Sequence, residues 1–155
     1  MINDLYNNFS IASLGILFVL NHCEKLSVAQ ATLIMPFIMH TETVSYLGKQ
    51  NFKINSFDEL IISKPELFTN INKRYYEALP TSINAIQFLL EMEYLKLNGN
   101  YLHSVQPIEY DKKMGSRANK IFKMSQNLSK VLQNNDNKLY LNMRIDSVSY
   151  THLRA

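Results

Sequence analysis

The feature of the sequence that most constrains the fold is an almost unbroken apolar run over residues 9–20. A helix built from this run carries apolar side chains on nearly every side, which is typical of a helix buried at the centre of a domain. The run has about a dozen residues, whereas a helix that crosses a bilayer needs roughly 20. We therefore predict a core helix that begins at its N-cap, Ser10, and ends at about Cys23. Gly15 is interpreted as a point of close helix packing.

The composition predicts one globular domain in a reducing compartment. Hydrophobic residues make up 46% of the 155 residues, enough for a single domain with a real core. The formal net charge of +3 is too small to indicate a general nucleic-acid binder. The single cysteine, Cys23, forms neither an internal disulfide nor a cysteine-based zinc site. We expect a cytoplasmic protein without membrane contact.

The last eight residues of the sequence, 148–155, match the translation of a transposase sequencing adapter in one reading frame. A segment of technical origin takes no part in a natural fold. We therefore expect these residues to be an adapter-derived artefact and the domain to comprise residues 1–147. His152 and Arg154 are accordingly given no functional role.

Several helix signals follow the apolar run. Ser27 is a good N-cap for a helix over residues 28–39, and Pro36 inside that helix predicts a kink or a restart, because proline lacks the backbone N–H of the helical hydrogen bond. Thr41 starts the next helical segment. Ser56, followed three residues later by a glutamate, starts a capping box for a short helix.

Two prolines and an Asn-Gly pair predict a winged-helix-like segment. Pro65 suits the first turn of one helix, and Pro80 is expected to end that helix before a second core helix begins. Residues 95–105 then alternate in hydropathy around Asn98 and Gly99, which is a strong hairpin signal. The order helix, helix, hairpin is that of a winged-helix module.

Residues 111–132 carry apolar side chains at intervals of three and four, which predicts the longest amphipathic helix of the chain. Alternating hydropathy over residues 138–145 predicts a short final strand. The predicted fold class is therefore mainly α: a single-domain helical bundle with a winged-helix-like segment and a short C-terminal strand.

A basic stripe on the long helix is formed by Lys113, Arg117 and Lys120, whose spacing places them on one face. The stripe is either a solvated helix face or a docking surface for an acidic partner or a phosphate backbone. A winged-helix nucleic-acid binder is the alternative function. However, the helix before the hairpin presents Glu91 and Glu93, which phosphates would repel, so nucleic acid is expected at most as an indirect partner.

No catalytic motif is found in the sequence, which lacks a glycine-rich phosphate loop and a nucleophile elbow. His22 and Cys23 are adjacent, so on a helix they point about 100° apart and cannot form a nucleophile–base pair. His40 has too few other donors nearby for a metal site. We expect no enzymatic activity, no metal and no cofactor.

With these elements placed, residues 5–145 resemble the small middle component of bacterial three-component ABC-ATPase systems. The residues that carry the resemblance are Tyr6, Asn7, Asn8, Ile34, Met35, Pro36, Phe37, His40, Phe68, Asn70, Asn72, Arg74, Tyr75, Gly115, Ala118, Lys120, Ile121, Phe122 and the run Leu139, Tyr140, Leu141, Asn142, Met143, Arg144.

The resemblance implies a non-enzymatic adaptor that couples an ABC-type ATPase to a larger third component in a bacterial conflict or phage-defence system. Arg and Tyr are enriched where interfaces concentrate their binding energy. The residues predicted to bind the partners are Asn7, Asn8, Pro36, His40, Asn72, Arg74 and Tyr75.

Overall fold

The computed structural model describes residues 2–133, and these residues form a mainly helical domain with a small antiparallel sheet, which confirms the predicted fold class. The predicted strand over residues 138–145 and the segment 148–155 lie outside the described residues. The elements are α1 (Ile2–Leu20), β1 (Leu26–Ser27), α2 (Val28–Thr32), α3 (Ile34–Ile38), α4 (Thr41–Leu47), α5 (Phe57–Ser63), a 3₁₀ turn (Pro65–Phe68), α6 (Ile71–Glu91), β2 (Leu95–Asn98), β3 (Tyr101–Ser104), a second 3₁₀ turn (Lys112–Met114) and α7 (Ser116–Leu132).

α1 is the central helix, as the apolar run predicted. It packs against α3, α6 and α7, and Phe18 and Val19 in its last turn are fully buried. Its predicted start was wrong, because the helix begins at Ile2 and Ser10 lies inside it. The residues before Ser10 include neither glycine nor proline, so nothing in the local sequence stops the helix from extending towards the N-terminus.

Gly15 is a close-packing point, as predicted. A Cβ atom at this position would lie 2.6 Å from Ile38 Cδ1 and 3.4 Å from Ile34 Cγ2, both on α3. The missing side chain is what allows α1 and α3 to approach this closely.

Substitutions at Gly15 should therefore separate packing from helix propensity. We expect Gly15→Leu to lower the free energy of unfolding by about 2–3 kcal/mol through overpacking. Gly15→Ala should change it by less than about 1 kcal/mol, because better helix propensity offsets the displacement of one Ile38 methyl group. Urea denaturation followed by circular dichroism measures both, and equal stability of the two variants would show that the α1–α3 contact is loose.

α2 and α3 form a helix pair that is broken where the proline predicted. Ser27 Oγ accepts a hydrogen bond from the N–H of Gln30 at 2.9 Å, and the Gln30 side chain accepts one from the Ser27 N–H at 2.9 Å. α2 ends at Thr32, the residue whose carbonyl an N–H at Pro36 would have bonded. The predicted restart is therefore confirmed at Ile34.

α6 runs without interruption from Ile71 to Glu91, so the predicted break at Pro80 was wrong. Buried residues on both sides of the proline, such as Tyr75 and Ile86, hold the helix in the core, and this packing overrides the local signal. The break occurs instead at Asn70, which has a left-handed backbone with φ of 58°. The two-helix part of the winged-helix-like segment is thus one long helix preceded by a four-residue 3₁₀ turn.

Pro80 lies in the middle of α6, where it removes one helical hydrogen bond, and it is exposed, so it adds no side chain to the core. We expect Pro80→Ala to raise the free energy of unfolding by about 2 kcal/mol, since the helix regains a hydrogen bond and loses a ring clash. Thermal denaturation would show this as a higher Tm. A lower Tm would mean that the two halves of α6 need a bend at Pro80 to reach their packing positions.

The predicted hairpin is confirmed as β2 and β3, with Asn98 paired to Tyr101. Gly99 in the connecting turn has a positive φ of 63°, which glycine adopts at no steric cost. β3 also pairs with the two-residue strand β1, giving the order β1-β3-β2. β1 was not predicted, because two residues are too short to show an alternating pattern.

The long helix predicted over residues 111–132 is shorter, because Gly115 interrupts it with a φ of 95°. α7 has 17 residues and α6 has 21, so α6 is the longest described helix. The predicted apolar face of α7 is confirmed from Ala118 to Leu132, both of which are buried. Asp111 caps the 3₁₀ turn that comes before α7, because its side chain accepts a hydrogen bond from the N–H of Lys113 at 3.0 Å.

Candidate functional site: a basic cleft between α4 and α7

α4 and α7 pack beside each other and enclose an open cleft of ≈ 620 Å³. The floor of the cleft is apolar: Ile38 and Ile121 line it from the core, and the half-buried Val44 lines it from α4. α4 is short, but its position is fixed by the buried side chains of Thr43 and Leu47. The cleft is therefore built on residues whose positions the core determines.

The rim of the cleft is cationic. Arg117, Lys120 and Lys123 line it from α7 at intervals of three residues, and all three are exposed. Among the described residues that line the cleft there is no Asp or Glu. Within residues 2–133, no carboxylate lies within ion-pair distance of any of the three cations. The cleft thus combines an apolar floor with positive charges that the described part of the chain does not neutralise.

Met39 connects this cleft to the segment that the sequence identified over residues 36–40. Met39 is 37% exposed and lines the cleft, and its Sδ accepts a hydrogen bond from Arg117 Nη2 at 3.0 Å. The end of α3 and the start of α7 therefore meet at one wall of the cleft. Two groups of residues that the sequence kept apart, the Pro36–His40 region and the basic stripe, are brought together.

Arg74 anchors the same segment through a second contact, at Pro36. Its Nη1 donates to the carbonyl oxygen of Pro36 at 2.7 Å, and its Nη2 donates to the carbonyl oxygens of Leu67 and Thr69 at 2.6 and 3.1 Å. A guanidinium group suits this task, because its rigid fork can serve several acceptors at once. Arg74 therefore joins α3, the first 3₁₀ turn and α6, and it fixes the backbone of α3 three residues before Met39.

His40 lies between these two features and ends the segment. Its Nδ1 forms a hydrogen bond with Thr43 Oγ1 at 2.8 Å, across the first turn of α4. Partial burial lowers the pKa of His40, the nearby Arg74 guanidinium lowers it further, and Glu42 opposes the change. The hydrogen bond to Thr43 holds the imidazole against the first turn of α4, the helix that follows His40.

The other predicted partner-binding residues are dispersed. Pro36 and Tyr75 are buried, and the Tyr75 hydroxyl lies 3.4 Å from Thr32 Oγ1, so their side chains belong to the interior. Asn72 is exposed in the first turn of α6. Of these three residues, only Asn72 presents its side chain on the described surface.

Asn7 and Asn8 lie near the opposite end of α6 from Asn72. Asn7 is exposed and Asn8 is half-buried, and the next residue, Phe9, contacts Phe88 edge to face with ring centroids 5.2 Å apart. Phe88 is about 24 Å along α6 from Asn72 at a rise of roughly 1.5 Å per residue. The predicted partner-binding residues therefore do not form one surface.

The basic stripe is also divided. Arg117 and Lys120 line the cleft, whereas Lys113 lies in the 3₁₀ turn beyond Gly115 and does not. Lys123 takes the third position, and the predicted stripe did not include it even though it continues the three-residue spacing. The contribution of α4, through Val44, carried no signal in the sequence, because it depends on how two helices distant in the chain pack.

The remaining reactive side chains form no nucleophile–base pair in the described structure. Burial raises the pKa of the Cys23 thiol, an effect that a hydrogen bond with Ser129 partly offsets, and its Sγ donates to the Val19 carbonyl oxygen at 3.6 Å. His22 beside it is exposed. Among the described residues, no three His, Cys, Asp or Glu side chains are grouped to hold a metal ion. The described helices also include none with the length and apolarity that a bilayer span requires.

These observations define a mainly helical domain that presents a cationic cleft with an apolar floor. Residues 13–147 match the family described as ABC-three component (ABC-3C) system Middle Component 3. Because this match covers most of the chain, the protein belongs to that family and is a component of a multi-component ABC system, as its resemblance to the middle components predicted. No curated protein and no solved structure matches the sequence significantly.

Proposed function

We propose that this protein is a non-enzymatic adaptor that couples the ABC-type ATPase of its system to the third component. The observation that carries the proposal is the family match over residues 13–147, since the family is that of a middle component. The cleft adds a physical means of attachment, because unneutralised charge around an apolar floor is a feature of surfaces that bind other macromolecules.

The chemistry of the described side chains supports a binding role over catalysis. A thiol whose pKa is raised is a poor nucleophile, and the Cys23 thiol is of this kind. His40 is engaged by Thr43 at the junction of two helices. We propose that the protein contributes contacts, and that any nucleotide hydrolysis takes place on the ATPase component.

Pairwise co-purification tests this function. The proteins encoded on either side of the gene would each carry an affinity tag and be expressed with this chain. We expect the chain to be retained by both of them, in stoichiometric amounts and after washing at about 0.15 M salt, where long-range non-specific attraction is screened. If neither tagged component retains the chain, although both components are shown to be folded, the adaptor function is excluded.

We further propose that the system acts in bacterial conflict, in defence against phage. The experiment compares phage plating on a host that carries all three genes with plating on a host from which only this gene is deleted. We expect protection to be lost with the deletion and restored by a plasmid copy of the gene. Equal protection with and without the gene would contradict this role.

The winged-helix nucleic-acid binder is not proposed, because the two-helix unit that would enter a DNA groove is one continuous helix, α6.

A further inference from the structure

We propose that the cleft between α4 and α7 binds an acidic, amphipathic segment of one of the two partner proteins. This inference rests on the proposed adaptor function and adds the chemistry of what the adaptor recognises. The expected occupant is a protein segment that carries carboxylates on one side and apolar side chains on the other.

The charge of the occupant follows from the rim. Arg117, Lys120 and Lys123 present three positive charges around one opening, and no carboxylate of the described lining residues offsets them. Like charges this close together repel, and a negatively charged occupant would relieve the repulsion. Arg117 also donates a hydrogen bond to Met39, and a guanidinium can bind a carboxylate by donating two parallel hydrogen bonds to it.

The apolar character of the occupant follows from the floor. Ile38, Val44 and Ile121 line the cleft beneath the cations, and Met39 is partly exposed at its edge. A nucleic-acid backbone contacts proteins mainly through its phosphates and sugars, so it would meet the cationic rim but offer no large apolar side chain to the floor. A peptide that carries carboxylates and a Leu, Ile, Met or Phe side chain would place the carboxylates against the rim and the apolar side chain against the floor.

The shape of the cleft favours a short element over a large surface. α4 has seven residues, so it forms a wall roughly 10 Å long at a rise of about 1.5 Å per residue. A wall of that length accommodates about two turns of a partner helix with one or two apolar anchors. The volume of ≈ 620 Å³ is sufficient for a few buried side chains.

The test uses two triple variants of equal charge change. The cleft variant is Arg117→Glu, Lys120→Glu and Lys123→Glu. The control is Lys96→Glu, Lys113→Glu and Lys130→Glu, which reverses three exposed lysines that do not line the cleft. Equal Tm values would first show that both variants are folded. The gel-filtration volume would show whether either one changes self-association.

The probes are peptides of about 15 residues, long enough for four helical turns, that overlap to cover both co-encoded partner proteins. We expect the unmodified protein to bind a small set of peptides that carry net negative charge and large apolar residues. The cleft variant should bind them at least about tenfold more weakly at roughly 0.1 M salt, and the control should bind them nearly as well as the unmodified protein.

Several results would overturn the proposal. They are the absence of any bound peptide, bound peptides without net negative charge, and equal loss of binding in the cleft variant and the control. The cleft would be a nucleic-acid site if the unmodified protein bound no peptide but bound a labelled DNA duplex tightly, and if only the cleft variant lost that binding. If the unmodified protein self-associates and only the cleft variant does not, the occupant of the cleft is a second copy of this chain. If the partners still co-purify with the cleft variant, the adaptor function stands and only the assignment of the cleft fails.

Discussion

Replacement of Phe37 by alanine is expected to lower the free energy of unfolding by about 4 kcal/mol, because it removes a fully buried aromatic ring and leaves a cavity. Phe37 lies in a cluster with Phe57 and Phe68, and its ring centroid is 6.4 Å and 5.9 Å from theirs. Phe57 and Phe68 are themselves 5.4 Å apart, and all three pairs pack edge to face. Such contacts add to the energy gained from burial alone.

The cluster matters because it joins three segments that are separate in the chain. Phe37 belongs to α3, Phe57 to α5 and Phe68 to the 3₁₀ turn before α6. A cavity at their centre cannot be closed by one side chain, since each ring is held by a different element. The loss should therefore lie near the middle of the range of roughly 3–5 kcal/mol for such substitutions.

Chemical denaturation with urea measures this loss, and Ile62→Ala in α5 is the control. Ile62 is 81% exposed, so its truncation should change the free energy of unfolding by less than about 0.5 kcal/mol. If Phe37→Ala costs less than about 1 kcal/mol, the three segments are not held by this cluster, and the account of how α3 is positioned is wrong.

Replacement of Arg74 by alanine is the second large effect, expected at about 3 kcal/mol. The guanidinium donates to the carbonyl oxygens of Pro36, Leu67 and Thr69, and the substitution leaves these acceptors without that donor. Hydrogen bonds from a charged donor contribute about 1.5–3 kcal/mol each, although the three are not additive and Arg74 is only half-buried. Arg74→Lys should recover little, because an ammonium group does not reproduce the planar fork.

The neighbouring residue supplies the control for Arg74. Lys73 makes a surface ion pair with Glu77 at 4.0 Å, and Lys73→Ala should cost less than about 0.5 kcal/mol. The pKa of His40 gives a second measurement by NMR. Since the Arg74 charge lowers that pKa, it should rise in Arg74→Ala. An unchanged His40 pKa together with unchanged stability would show that Arg74 does not anchor residues 36–40.

The parts of the fold that could be predicted from the sequence are those in which a local signal acts alone. The Ser27 cap, the interruption before Pro36 and the turn at Gly99 each depend on a few adjacent residues, and each was found. Pro80 shows the limit of this reasoning. Its local cost is real, but core packing on both sides of it is larger, and no window of sequence contains that information.

The candidate site was predicted only in part for the same reason. Arg117 and Lys120 share one helix face and were recognised from their spacing alone. Their partner wall, α4, is about seventy residues away in sequence, so the cleft exists only once the helices have packed. Arg74 was singled out as a binding residue, whereas its hydrogen bonds in the structure are to carbonyl oxygens of the same chain.

Bridging of the other two components is the most direct measure of the adaptor claim. The ATPase and the third component would be purified separately and passed together over a gel-filtration column, with and without this chain. We expect the two to elute as one complex only when the chain is present. The cleft variant should retain one component and lose the other. Co-elution of the ATPase and the third component in the absence of this chain, or their separation in its presence, would contradict the account.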